Sequence, residues 1–254
     1  MKRHVYLTAL CILAGINLVE ADTYKSGNID GETWNAAGSP YLITGDLSVN
    51  RLTVQPGVEV RFLGNYVLQV TGILRASGTT CSPILFTANT NAGWGGIFFN
   101  GSGSGSYLTY CRIEGSKNRG VRILNSTPAF TNCTIANNSS PGDGGGIHIS
   151  NGSGTVILER CTISHNTTSL SGGGLRLQLG TAVVKNCLFS DNTAPASYGG
   201  GLYAAEYVNL LMTNCVVRNN SAAAGSGLAF DYHANALAVN CVFVYNVGDA
   251  INID

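Results

Sequence analysis

A short phrase built on cysteine recurs through the second half of the chain and constrains the fold more than any other feature. Each cysteine is followed two residues later by Ile, Phe or Val and five residues later by Asn, and the spacings are 28, 26, 28 and 26 residues. A glycine cluster such as Gly144-Gly145-Gly146 lies between consecutive cysteines. A repeat of this length is typical of a solenoid, in which each unit buries its apolar face only by stacking on its neighbours. The repeated cysteines are Cys133, Cys161, Cys187, Cys215 and Cys241.

One repeat predicts the shape of a coil. Residues 146–149 and 155–158 form two short alternating segments, and residues 161–163 form a third after a corner at Arg160. Short segments of period two, broken by Gly and Asn, predict three parallel strands per coil. The predicted fold is therefore all-β, a single-stranded right-handed parallel β-helix of about nine coils at about 26 residues each. The residues expected to face inward in this coil are Ile147, Ile149, Ile157, Cys161 and Ile163.

The repeated cysteines and asparagines predict two internal ladders. Stacked strands hold equivalent Cβ atoms about 4.8 Å apart and parallel, whereas a disulfide needs about 3.8 Å and converging bonds. We therefore expect the six thiols from Cys111 to Cys241 to be buried apolar fillers and not disulfides or metal ligands. Cys81 lies outside this ladder, and its redox state stays open. We expect the asparagine five residues after each cysteine to bond, at a corner, to backbone or to the asparagine of the next coil.

The N-terminal residues predict export, and both ends of the chain bear on how the ends of the solenoid are covered. Lys2 and Arg3 followed by an apolar run over residues 5–19 predict a signal peptide over residues 1–21, and thus a secreted, extracellular or outer cell-surface protein. No later segment holds the roughly 18 apolar residues of a membrane span. One β-helix domain is expected over 22–254, with residues 22–40, including Trp34, covering its N-terminal end. Residues 248–254 resemble the opening of another coil, so we expect a further C-terminal domain or an end-to-end packing partner.

Charge and the scatter of acidic residues narrow the functional classes. The formal net charge is zero and charged residues make up 11% of the chain, which argues against nucleic acid as a partner. The acidic residues occupy different repeat positions, so no pair of carboxylates is expected to face one groove. We therefore assign no catalytic residue, no metal site and no cofactor.

One outward column is the candidate ligand-binding site. His148, Arg176 and Tyr203 hold the same outward position after the glycines of three successive repeats, so they are expected to stand about 4.8 Å apart. Such a column offers stacking and hydrogen bonds to a polysaccharide or cell-surface glycan. The alternative is an ordinary solvated strand face.

Two further sets of polar residues have structural explanations. The residues four past each cysteine precede a corner, and a contact between His165 and Asp191 there would be a surface ion pair. Glu159 and Lys185 are equivalent residues one coil apart and are expected to match in charge across two strands. The corner set consists of Asn137, His165, Asp191 and Asn219.

Several phrases of the chain are similar to those of known β-helix proteins. The early phrases are Ser39-Pro40-Tyr41, Gly45-Asp46-Leu47, residues 52–58, Gly72-Ile73-Leu74, residues 83–87 and Trp94-Gly95-Gly96-Ile97. They resemble the start of secreted bacterial right-handed β-helix proteins of the pectate-lyase-like superfamily. The later Gly172-Gly173-Gly174-Leu175 and Phe189-Ser190-Asp191-Asn192 phrases resemble repeats of polymorphic outer-membrane proteins.

The resemblance implies the fold but leaves several functions open, because this scaffold carries lyases, hydrolases, adhesins and passenger domains. A lyase of the superfamily implies a Ca²⁺ site of clustered acidic residues, and a hydrolase implies two carboxylates across one groove. Our leading hypothesis is a non-catalytic, exported β-helix for adhesion or for recognition of a glycan or another surface. The alternatives are a polysaccharide lyase or glycoside hydrolase, and a structural passenger that displays another module.

Overall fold

The protein folds into a parallel β-solenoid with almost no helix. The computed structural model describes residues 22–205, 207–231 and 233–253, so the predicted signal peptide lies outside the described residues. A single 3₁₀ turn covers Ala36–Gly38. The strands are β1 (Thr23–Trp34), β2 (Tyr41–Val54), β3 (Glu59–Phe62), β4 (Leu68–Ser77), β5 (Ile84–Ala88), β6 (Ile97–Asn100), β7 (Tyr107–Thr109), β8 (Cys111–Glu114), β9 (Val121–Leu124), β10 (Ala129–Thr131), β11 (Thr134–Ala136), β12 (Ser139–Ser140), β13 (Ile147–Glu159), β14 (Thr162–Ser164), β15 (Thr167–Thr168), β16 (Leu175–Lys185), β17 (Leu188–Ser190), β18 (Thr193–Tyr198), β19 (Leu202–Ala204), β20 (Val208–Thr213), β21 (Val216–Arg218), β22 (Ser221–Ala224), β23 (Leu228–Phe230), β24 (Asn235–Val239), β25 (Val242–Val244) and β26 (Ile251–Ile253).

Every strand pairs in parallel with its counterpart in the next coil, which creates three long sheets. The glycine-led sheet contains β6, β9, β19, β23, β26 and the first parts of β13 and β16. The middle sheet contains β7, β10, β20, β24 and the last parts of β13 and β16. The cysteine sheet runs through β3, β5, β8, β11, β14, β17, β21 and β25.

The solenoid has about eight turns, close to the nine predicted, and the all-β prediction is confirmed. The sequence predicted three strands per coil, but four coils contain a short fourth strand after the asparagine corner. These strands, β12, β15, β18 and β22, form a separate sheet.

The inward side of the middle sheet differs from the prediction at one position. Val156 and Leu158 are fully buried, whereas Ile157 is 42% exposed and points outward. The prediction that Ile157 faces the core was therefore wrong, although Ile147 and Ile163 are buried as expected. Strand alternation fixes only that neighbours point to opposite faces, and three successive aliphatic residues do not indicate which of them points inward.

The predicted thiol ladder is confirmed inside the solenoid. Five of its cysteines are buried and not disulfide-bonded, and the sixth, Cys241, is partly buried in the last described coil. Each buried thiol donates to a carbonyl oxygen of the preceding coil, as Cys187 Sγ does to Leu158 O at 3.5 Å. The pKa of Cys161 and that of Cys187 are both raised to about 12. The main cause is the contact with the thiol of the preceding coil, and burial is a second cause. These thiols therefore act as small apolar fillers, while Cys81 lies on an exposed loop.

The predicted asparagine ladder is also confirmed and extends over five coils. The Nδ2 atom of Asn166 donates to Asn192 Oδ1 at 3.0 Å, and Asn192 Nδ2 donates to Asn220 Oδ1 at the same distance. The same bond links Asn138 to Asn166 and Asn220 to Asn246. Each Oδ1 atom also accepts from a backbone N–H of the preceding coil, for example Asn166 N at 3.0 Å. The ladder thus satisfies both the side chains and the backbone of a buried corner.

The N-terminal coil buries the aromatic residue that the sequence placed there. Trp34 is 1% exposed and stacks on Tyr41 with ring centroids 4.6 Å apart. Its indole nitrogen donates to Glu32 Oε2 at 2.7 Å.

The described residues contain no helix that is long and apolar enough to cross a membrane.

Candidate binding face on the glycine-led sheet

The three predicted ligand-binding residues stand in one column of the glycine-led sheet. His148 pairs with Arg176, and Arg176 pairs with Tyr203, in successive coils. The column continues on the N-terminal side through Arg122 and Phe98, and the Arg122 guanidinium carbon lies 4.6 Å from the centre of the Phe98 ring. We call this column, with the loops that flank it, the Arg176 face.

The glycine clusters cover part of this column, so it is not an ordinary solvated strand face. The first glycine of each cluster has a positive φ, 69° at Gly144, and folds back over the outward residue four positions later. A Cβ added at Gly144 would lie 2.7 Å from His148 Cβ, and one at Gly172 would lie 2.8 Å from Arg176 Cβ. His148 is consequently only 7% exposed although it points away from the core.

Arg176 is held at the centre of this face by an ion pair and an aromatic ring. Its Nη1 atom lies 2.8 Å from Asp143 Oδ1, and the two side chains are only 15% and 22% exposed. Asp143 Oδ1 also accepts from the backbone N–H of Ser171 at 3.0 Å. The Arg176 guanidinium carbon lies 4.9 Å from the centre of the Tyr203 ring, within the range of a cation–π contact.

A depression of about 280 Å³ opens beside Arg176. The Tyr203 hydroxyl donates to Asp231 Oδ2 at 2.8 Å, and this carboxylate lines the depression. Tyr207 stands at the rim with 66% of its surface exposed, and its ring stacks on His233 at 4.7 Å with an interplanar angle of 14°. The described residues that line the depression are Arg176, Gln178, Leu179, Ala205, Tyr207 and Asp231.

His148 is neutral at physiological pH. Burial is the main cause that lowers its pKa to about 4, and the positive charges of Arg119 and Arg176 lower it further. The Nε2 atom lies 3.1 Å from Gln178 Oε1, which only accepts, so the ring proton resides on Nε2. Nδ1 is then an acceptor, and neither this buried atom nor the buried Arg176 Nε has a hydrogen-bond partner among the described residues. His148 thus orients Gln178 at the depression.

Two carboxylates contact residues of the column from the loops that flank it. Asp143 and Asp231 contact Arg176 and Tyr203 respectively, from loops on different coils. Only Asp231 lines the depression, so the expectation that no pair of carboxylates faces one groove stays a prediction. In the part of the chain that the structure describes, no group of three or more His, Cys, Asp or Glu residues is placed to hold a metal ion.

The two remaining polar sets have structural roles. The four predicted corner residues have φ between 55° and 59°, and no ion pair between His165 and Asp191 occurs among the described residues. Glu159 and Lys185 are cross-strand partners as predicted, but the Glu159 carboxylate forms its ion pair with Arg160.

Sequence reasoning missed the residues that complete the Arg176 face. Arg122 and Phe98 follow a glycine and an aliphatic residue, so the repeat itself could have added them to the column. Asp143, Asp231 and Tyr207 lie in loops whose equivalent positions in a neighbouring coil hold other residue types, such as Ser171 for Asp143, so no periodic signal indicates them.

Parallel strands, stacked ladders of identical residues and a repeat of fixed length define this protein as a parallel β-helix repeat protein. The chain belongs to the right-handed β-helix family. The family model for the right-handed β-helix region matches residues 69–175 and, in an overlapping match, residues 95–254. Comparison with curated proteins gives no match, and neither does comparison with solved structures.

Proposed function

We propose that this protein is an exported, non-catalytic β-helix that binds a glycan through the Arg176 face. The observation that carries the proposal is the exposed Tyr207 ring beside a depression lined by Arg176, Gln178 and Asp231. A flat aromatic ring packs against the C–H surface of a sugar, while guanidinium, amide and carboxylate groups bond its hydroxyls. Export is supported by the signal-peptide pattern of residues 1–21.

The polar groups of this face are already oriented before any ligand binds. Asp143 fixes Arg176, Tyr203 fixes Asp231, and His148 fixes Gln178. Side chains that are held in place lose less conformational entropy on binding than free ones, so preorganisation raises affinity. A face built only for solubility would not need the largely buried ion pair of Arg176 and Asp143 behind its exposed groups.

A glycan array followed by calorimetric titration of the best ligand tests this proposal. We expect Tyr207→Asn to weaken binding by roughly threefold to tenfold, the size of one lost aromatic contact. Tyr245→Asn is the matched control, since Tyr245 is also exposed and has the same φ of 56° but lies away from the depression. Asparagine tolerates this backbone conformation, so neither change should disturb the fold. The proposal fails if no glycan binds, or if both variants weaken binding equally.

The second candidate function is that of a polysaccharide lyase or glycoside hydrolase. It is favoured by the presence of Asp143 and Asp231 on the same face as Arg176 and Tyr203. Against it, both carboxylates are engaged in contacts with these residues. Incubation with pectin and alginate, followed by ultraviolet absorbance and reducing-end assays, separates the two functions. If the protein depolymerises a substrate and this activity is abolished when His148 and Arg176 are replaced together, the enzymatic function is established and the non-catalytic binding function is contradicted.

A further inference from the structure

A second concavity in the described part of the chain lies at the edge of the cysteine sheet. It is a groove of about 590 Å³ that spans three coils. One wall is the loop after β5, which includes Asn89 and Asn91, and the floor includes Gly115. Arg112, Glu114 and Lys117 supply its charges. We call it the Lys117 groove.

The groove exists because one coil lacks a corner side chain. The corner position before the ladder asparagine holds Asn137, His165, Asp191 and Asn219 in later coils, but Gly115 stands at the same turn in this one. Gly115 has a φ of 76°, and a Cβ added there would come no closer than 3.7 Å to its neighbours, chiefly Ala88. A side chain would thus fit on the backbone but would project into the groove.

The wall of the groove is anchored at both ends. Asn89 N donates to Phe62 O at 2.8 Å at the start of the loop. At its end, Trp94 is fully buried, stacks on Phe62 at 4.2 Å and donates from Nε1 to Glu114 O at 2.8 Å. These contacts hold the loop in one position against the next coil.

The charges of the groove leave one cation unbalanced. Arg112 Nη2 lies 2.6 Å from Glu114 Oε2, so these two charges neutralise each other. Among the described residues, the Lys117 ammonium has no ion pair or hydrogen bond. Its stem lies across Gly93, where an added Cβ would collide with Lys117 Cγ, so the loop directs this side chain along the rim.

We propose that the Lys117 groove binds a short oligosaccharide that carries one carboxylate. Lys117 pairs with the carboxylate, and the amides and hydroxyls of the lining, such as Asn89, Thr90 and Asn137, bond the sugar hydroxyls. Eight of its ten lining residues carry polar side chains, unlike the predominantly apolar lining of pockets that take drug-like ligands. A peptide strand is disfavoured as the occupant because β5 and β8 are paired on both sides and offer no free edge.

Titration with 3′-sialyllactose and lactose tests the proposal, because the two sugars differ only by the unit that bears the carboxylate. We expect 3′-sialyllactose to bind with a millimolar or lower dissociation constant and lactose to bind at least about tenfold more weakly. Lys117→Gln should weaken the binding of 3′-sialyllactose by roughly threefold to tenfold and leave the binding of lactose unchanged. Equal affinity for the two sugars, or no binding of 3′-sialyllactose, would overturn the proposal.

A groove-filling variant gives a second, independent test. Gly115→Asn introduces the residue that Asn137 and Asn219 provide at the same corner, so we expect it to fold normally and to abolish binding. His165→Asn makes the matched change at a corner outside the groove and should leave binding intact. Equal effects of these two variants would refute the assignment. Tyr207→Asn should not affect this binding, so the outcome here is separate from the test of the Arg176 face.

Discussion

Replacing Asn192 with alanine removes one rung from the middle of the asparagine ladder. Asn192 Oδ1 accepts from the backbone N–H and from Nδ2 of Asn166, and Asn192 Nδ2 donates to Ile163 O and to Asn220 Oδ1. All of these bonds are buried, with lengths of 2.9–3.0 Å. At about 1 kcal/mol for each net hydrogen bond, and with a further penalty for donors left unpaired in the core, we expect a loss of about 4–6 kcal/mol.

Urea unfolding followed by circular dichroism measures this loss, and the chain offers a matched control. Asn209 also accepts a side-chain hydrogen bond from an asparagine of the next coil, Asn235 Nδ2 at 3.2 Å, but this pair is exposed. Water replaces such a bond at little cost, so Asn209→Ala should lose no more than about 0.5 kcal/mol. If the losses in Asn192→Ala and Asn209→Ala lie within about 1 kcal/mol of each other, the argument from the buried ladder is wrong.

Burial leads to three further expected outcomes. The pKa of His148 is about 4 in the folded state and 6.5 in the unfolded state, so the stability that is present above pH 6.5 should fall by up to about 3 kcal/mol as the pH drops toward 4. Urea unfolding at several pH values measures this dependence, and His148→Gln should flatten it. An unchanged slope in this variant would contradict the assignment. Leu158→Ala should cost about 2–5 kcal/mol and the outward Ile157→Ala less than about 1 kcal/mol, so equal losses in thermal or urea unfolding would refute the assigned faces. Ellman's reagent should label Cys161 and Cys187 only after unfolding, because both are at most 2% exposed and have raised pKa values, and labelling of either of these two thiols in the native protein would count against the ladder.

The amino-acid sequence was sufficient to predict the contacts between equivalent positions of successive coils. Residues that recur every 26 or 28 positions are brought together by stacking alone, whatever the exact path of each coil. For this reason the thiol ladder, the asparagine ladder and the order of His148, Arg176 and Tyr203 could all be predicted. The periodicity has no bearing on which ligand the protein binds, because one fold carries many functions.

The contacts between non-equivalent residues became visible only in the folded chain. Ile157 belongs to a continuous aliphatic run, so its face depends on how the corners at either end orient the strand. Asp143 contacts Arg176 and Asp231 contacts Tyr203 from other coils, and the Lys117 groove opens between a projecting loop and Gly115. These sites depend on where the loops lie, and the position of a loop depends on packing and hydrogen bonds to other coils, which local sequence does not encode.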